Sequence, residues 1–138
     1  MKTVSTTEAN IALAQSVYAA YGRGDMAAMF DLMAPDIDWE SIGPRKDYPL
    51  FGPRLGKAEA EGFFQLMPTL HQFSEFAPTD FLAGGDKVAV LGHYALTMNR
   101  SGRKMASDWV HVFTIKDGKV TKFREHTDTA KFVEAYRG

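Results

Sequence analysis

The chain has 138 residues, 45% of them apolar, enough for one core but not for two, so residues 1–138 form a single domain. Lys and Arg number 16 against 17 Asp and Glu, a net charge of -1, so no broad field draws the chain toward nucleic acid or acidic lipid. The absence of cysteine excludes disulfides, thiolate nucleophiles and cysteine metal sites, and no apolar run is long enough for a signal h-region or a membrane span, so the expected location is cytoplasmic.

Ser5 with Glu8 spells a capping box, and Ile11, Ala14, Tyr18 and Tyr21 recur at helical spacing up to Gly22, which predicts a first helix over about 6–21. Asp25 can cap a short second helix with a stripe of Met26, Met29, Phe30 and Met33, ended near Ala34 by Pro35. Ile37, Trp39 and Ser41 alternate with Asp36, Asp38 and Glu40 as in a strand with one polar face. The proline- and glycine-rich stretch 43–56 is an irregular loop expected to border a cavity. A third helix over about 57–67 buries Phe63, Phe64 and Met67 and stops at Pro68.

Beyond residue 68 the pattern becomes β. Segments 87–98, 104–116 and 119–127 are divided by Asn99-Arg100-Ser101-Gly102 and by Asp117-Gly118, both hairpin signals. Residues 69–82 supply a further strand, with Pro78 at an edge or bulge. Asp128 caps a terminal helix. Helices followed by antiparallel strands make the fold class α+β. In segment 87–98, Val88, Val90, Tyr94, Leu96 and Met98 share one face while Ala89, Leu91 and Ala95 share the other. A strand apolar on both sides implies either a pocket opposite the helices or a second subunit.

Along 104–116 the odd positions Met105, Ser107, Trp109, His111, Phe113 and Ile115 share a face. An undistorted turn at Asp117-Gly118 sets Phe113 against Lys122 and His111 against Arg124. One bulge residue at the turn instead sets Phe113 against Phe123, His111 against Glu125 and Trp109 against Thr127, matching apolar with apolar, and this register is preferred. His111 and Glu125 are then a histidine–carboxylate pair able to move protons, with Glu125 resisting ionisation between apolar walls. The competing possibility is a structural pair that satisfies itself in the core. The four histidines, at 71, 93, 111 and 126, lack metal-motif spacing, so no metal is expected. Gly52-Pro-Arg-Leu-Gly56-Lys57-Ala58 is too short between glycines for a phosphate loop and lacks its hydroxyl residue.

The helix end Tyr18-Ala-Ala-Tyr-Gly-Arg-Gly-Asp25, the run Phe30-Asp-Leu-Met-Ala-Pro-Asp-Ile-Asp-Trp39, Phe51-Gly-Pro-Arg-Leu-Gly-Lys57, Trp109-Val-His-Val-Phe-Thr-Ile, Asp117-Gly-Lys-Val and Phe123-Arg-Glu-His-Thr-Asp128 together resemble the SnoaL and ketosteroid isomerase superfamily, also called nuclear transport factor 2-like. The resemblance covers nearly the whole chain. It implies a cone-shaped roll, usually a homodimer, with N-terminal helices packed on a curved antiparallel sheet around a deep pocket. It also implies a histidine and an acid on adjacent pocket strands, as in the SnoaL-type cyclases, and no cofactor. Compared with ketosteroid isomerases, Ser41 stands where the general-base aspartate is expected. His111 stands approximately at the oxyanion-binding acid, and Tyr18 one residue from the oxyanion tyrosine. A serine cannot shuttle the proton, so simple steroid isomerisation is disfavoured, and Asp38 or Glu40 is a candidate second acid.

The expected function is therefore acid–base chemistry of isomerase, cyclase or lyase type on a small, largely apolar, carbonyl-bearing ligand. His111 and Glu125 are the expected catalytic pair. Trp39, Phe63, Trp109, Phe113 and Phe123 are expected to shape the pocket, and Tyr18 to donate to developing oxyanion charge. The alternative is a non-catalytic binding domain for a small apolar ligand, and His93 is read as a core or interface residue ahead of a ligand contact.

Overall fold

A computed structural model describes residues 6–138. The elements are α1 (Thr6–Gly22), α2 (Met26–Asp31), β1 (Met33–Ser41), β2 (Gly52–Leu55), α3 (Gly56–Leu70), β3 (His71–Gly84), β4 (Lys87–Met98), β5 (Lys104–Lys116), β6 (Lys119–Thr127) and α4 (Thr129–Arg137). They build an α+β roll around one six-stranded sheet in the order β2-β1-β6-β5-β4-β3, which does not close. α1 lies against β3 and β4, α3 against β1 and β2, and α4 against β5.

The sheet is mixed, which corrects the antiparallel expectation. β1 runs parallel to β6, with Trp39 beside Phe123 and Ser41 beside Glu125, and every other neighbouring pair is antiparallel. Parallel neighbours need a long crossover, and the segment from β2 through β5 supplies it. The alternation of β1 gave no sign of this, because inward and outward faces repeat every second residue whichever way the neighbour runs.

Helix boundaries follow local chemistry. Asp25 caps α2 by accepting from the Ala28 N–H at 3.1 Å, and Asp128 caps α4 by accepting from Lys131 N–H at 3.1 Å. Ser5 of the expected capping box lies outside the described residues. α2 ends at Asp31, earlier than Pro35 demands, because β1 already begins at Met33. Pro68 lies inside α3 and does not terminate it. Its ring costs one helical hydrogen bond near the end, and the carbonyls there are taken up elsewhere: Gln72 and Asn99 side chains donate to Pro68 O and the Asn99 N–H to Leu70 O.

The hairpin between β5 and β6 settles the register. Asp117 and Gly118 both have positive φ, 52° and 73°, the requirement of a type I′ turn, and Lys116 pairs with Lys119 across it. The turn itself is undistorted. The bulge falls at Thr121 inside β6, between the pairs Ile115–Val120 and Thr114–Lys122, and its hydroxyl donates to Thr114 O at 3.2 Å. Beyond it Phe113 meets Phe123, His111 meets Glu125 and Trp109 meets Thr127. Pro78 sits on the edge strand β3 beside a register shift, as a residue without an N–H requires.

Gly92, on β4, is fixed by packing. A Cβ built there lies 2.1 Å from the Trp109 ring, which crosses the strand at that point. Trp109 is buried and stacks on His111 at 3.9 Å. Gly92→Ala must therefore push this ring or its strand aside, and we expect a loss of about 1–3 kcal/mol in unfolding free energy. Chemical denaturation measures it; an unchanged midpoint would mean the ring has room to yield.

Candidate active site

Ser41, Glu125 and His111 stand abreast on β1, β6 and β5, one per strand. Adjacent strands lie about 4.8 Å apart, so side chains on the same face can join directly. Ser41 Oγ donates to Glu125 Oε1 at 2.8 Å, and His111 Nε2 meets Glu125 Oε2 at 2.8 Å. From α1, the Tyr18 hydroxyl reaches His111 Nδ1 at 2.6 Å, with the two rings nearly parallel. A row Tyr18–His111–Glu125–Ser41 thus crosses the inner face.

The protons of this row can be placed from its chemistry. Burial, and secondarily the Glu125 charge, push the Tyr18 phenol well above its ordinary value, so it keeps its proton and donates. His111 Nδ1 must then accept. Burial holds the imidazole below its usual pKa against the opposing pull of Glu125, so it is neutral, carries its proton on Nε2 and donates to Glu125. For Glu125, burial alone would raise the carboxyl. The hydrogen bond and electrostatic attraction of His111, the Ser41 hydroxyl and the field of His71 outweigh it and hold the acid below the ordinary carboxylate range. The expectation that Glu125 resists ionisation is therefore corrected: apolar walls surround it, but polar donors touch it.

The row faces an interior cavity between α1, α3 and the sheet, walled mainly by aromatic and sulfur side chains including Tyr21, Phe64, Met67 and Phe76. The centre of a water molecule can range over about 60 Å³ of it, room for only a few waters. A ring-sized guest enters if the phenylalanine and methionine side chains of the wall give way.

Among the residues expected from sequence, Tyr18, Trp39, Phe63, His111, Phe113, Phe123 and Glu125 all line this cavity. Trp39 stacks on Phe123 at 3.8 Å. Trp109 does not line it; the ring is wedged behind His111 over Gly92. The Tyr18 hydroxyl, expected to face developing oxyanion charge, is engaged with His111 Nδ1. Asp38 and Glu40 point to the other face, where Arg124 binds Asp38 at 2.9 Å and lies 3.7 Å from Glu40. Arg124 draws the Asp38 carboxyl below its usual pKa by hydrogen bonding, against a smaller opposing effect of burial. Half-exposed His93 pairs with Asp108 at 2.9 Å on the outer surface.

Sequence reasoning missed a second polar pair, of which His71 lines the wall and Tyr48 packs behind it. His71, at the junction of α3 and β3, is 3% exposed and receives the Tyr48 hydroxyl at Nδ1, 2.6 Å away. Its Nε2 is buried without a partner among the described residues. Burial lowers its pKa from 6.5 to about 4, with Glu125 opposing. Tyr48 comes from the irregular loop before β2, where no periodicity marks it, and the histidine stands alone between a helix and a strand. The Pro44–Phe51 region does border the cavity, through Leu50 and Phe51, and Arg45 ties that loop together by donating to Phe51 O and Pro53 O. Among the described residues no group of three or more metal-ligating side chains occurs, and none of their helices is long and apolar enough to cross a membrane.

The family model described as SnoaL-like domain matches residues 14–123. Among solved structures, an NTF2-like protein from Burkholderia xenovorans LB400 is 30% identical, with a TM-score of 0.86 over 95% of this chain and 98% of that one. An NTF2-like protein from Burkholderia pseudomallei K96243 is 28% identical, with a TM-score of 0.84 over 94% and 98%. TerC, co-crystallised with polyporic acid, is 29% identical, with a TM-score of 0.81 over 94% and 99%. No curated protein matches the chain.

Proposed function

The chain belongs to the SnoaL-like domain family, which includes polyketide cyclases and isomerases, and from that premise we propose that it is a small-molecule enzyme of isomerase, cyclase or lyase type. Its substrate is small, largely apolar and carbonyl-bearing, and Glu125 with His111 handles the proton. The observation that carries this reading is a carboxylate held inside an aromatic cavity by two donors, which leaves further lone pairs on its oxygens for a substrate C–H or O–H. A carboxylate accepts a proton, and one screened from bulk water does so without competition from solvent. The similar structure co-crystallised with polyporic acid supports a small organic ligand for this chain as well.

Within this reading Glu125 is the base. His111 is its positioning partner, since Tyr18 and Glu125 occupy both ring nitrogens. That saturation also favours the second reading, a non-catalytic binding domain for a small apolar ligand. Acetophenone in heavy water separates the two. The enzyme reading expects deuterium to enter the α-methyl group faster with protein than without, followed by NMR, and faster than with a Glu125→Gln variant. Exchange at the buffer rate would leave only the binding role.

The same reading makes the protein a cytoplasmic homodimer. Support comes from the outer face of β4, where Leu91 is 37% exposed beside half-buried Ala89 and Ala95. Light scattering should return twice the chain mass; the single mass of 15.3 kDa would end this part.

A further inference from the structure

Tyr48 and His71 make no hydrogen bond to the row that holds Glu125, yet His71 lines the same cavity. We propose that His71 is a catalytic residue, donating a hydrogen bond from Nε2–H to the carbonyl oxygen of the substrate as negative charge develops there. This rests on, and deepens, the acid–base reading of Glu125.

The proton on Nε2 follows from the neighbours. The Tyr48 ring is fully buried against Phe51, Phe132 and Tyr136, and its hydroxyl meets His71 Nδ1. Burial raises the phenol above its ordinary pKa, so it stays protonated and acts as donor. An imidazole that accepts at Nδ1 and is neutral must carry its hydrogen on Nε2. That atom has no acceptor among the described residues, although His71 lines the cavity. A buried donor left without an acceptor is costly, and a ligand oxygen would relieve the cost.

A positive group would serve the same purpose less well here. A charged imidazolium would pair with Glu125 and quench the base, whereas a neutral N–H polarises a carbonyl and leaves the carboxylate free. The two groups influence each other across the cavity, since each enters the other's electrostatic balance. Glu125 takes the proton α to the carbonyl, and the C–H electron pair becomes the enolate C=C. The carbonyl π pair moves onto oxygen, where His71 Nε2–H holds it without giving up its proton. Collapse of the enolate returns those electrons and takes a proton back from Glu125, a deuteron where the carboxyl has exchanged with heavy water, so nothing is oxidised and no co-reactant is consumed. Preorganised donors of this kind in a dry site cost no reorganisation as charge appears.

Two measurements test the assignment without relying on turnover. Long-range ¹⁵N–¹H spectra of the full chain should show His71 as the neutral Nε2–H tautomer at neutral pH. A Tyr48→Phe variant should lose that preference, because its ring offers nothing to Nδ1. The second measurement is the infrared carbonyl band of bound acetophenone. It should move to lower frequency in the wild type and in Glu125→Gln, stay near its apolar-solvent position in His71→Phe, and move again in His71→Gln, whose amide restores a donor. Binding to His71→Phe should be about tenfold weaker. An Nδ1–H tautomer, or a wild-type protein that leaves the acetophenone band unmoved, overturns the proposal. A shifted band together with buffer-rate deuterium exchange would keep His71 as a carbonyl donor while removing Glu125 as the base.

Discussion

Glu125→Gln should lower the rate of α-proton exchange by about 10²–10⁴, the range in which a positioned base contributes. The amide has the shape of the acid: its oxygen can still accept from His111 while its NH2 donates to the Ser41 hydroxyl, so the fold should survive while the basic lone pair is lost. The carboxyl sits below its ordinary pKa of 4.5, burial being outweighed by the donors from His111 and Ser41. A base that is ionised throughout the neutral range should give a rate profile that is level there and falls only below the usual glutamate range. Ser41→Ala should move the acid limb upward, because one of the donors favouring the ionised form is gone. An acid limb near neutrality in the wild type would mean the carboxyl is not held in this way. The same rate in Glu125→Gln would remove Glu125 from the chemistry.

The second large effect is on stability in acid. His71 titrates near 6.5 when unfolded but only at about 4 in the folded chain, because burial opposes the charged ring. Between those values the unfolded chain binds a proton that the folded chain refuses. Unfolding free energy therefore falls as pH drops from about 6.5 to 4, by about 3 kcal/mol from this residue, and changes no further below that. His111 leans in the same direction, also through burial, so the His71 share is the difference between the wild type and His71→Phe. Denaturant titrations across that pH range should show a shallower slope in the variant. Equal slopes would place the His71 ring in water or in a charged state. Glu125 adds its own loss, but only below 4.5, where the unfolded chain's glutamate takes a proton that the lowered carboxyl of the folded chain still refuses.

What the sequence disclosed and what it hid have physical causes. Strand alternation fixes faces, and matching Phe113 with Phe123 was enough to bring His111 to Glu125. The position of the bulge was less legible: its residue, Thr121, is satisfied by a local hydroxyl bond, while the turn signal lies in Asp117-Gly118. The parallel seating of β1 left no trace in periodicity. Without it, Ser41 could not be placed on Glu125 from 84 residues away, and the carboxyl was expected to be neutral. Tyr48 and His71 were invisible for a related reason. A loop residue and a helix-end residue carry no repeating pattern, and only the packed core brings them together.

A sheet that stays open leaves two borders, one along short β2 and the other along β3. β3 is 14 residues long, which would ordinarily offer an adjacent chain a continuous ladder of amides and carbonyls. Here the ladder is interrupted. Pro78 contributes no amide hydrogen, and the strand shifts register at Phe73/Glu75 and again at Pro78/Asp80. The longest unshifted run, Asp80–Gly84, is five residues, so the border that roofs the cavity offers a stray polypeptide little to zip onto and is guarded against fibril-like growth.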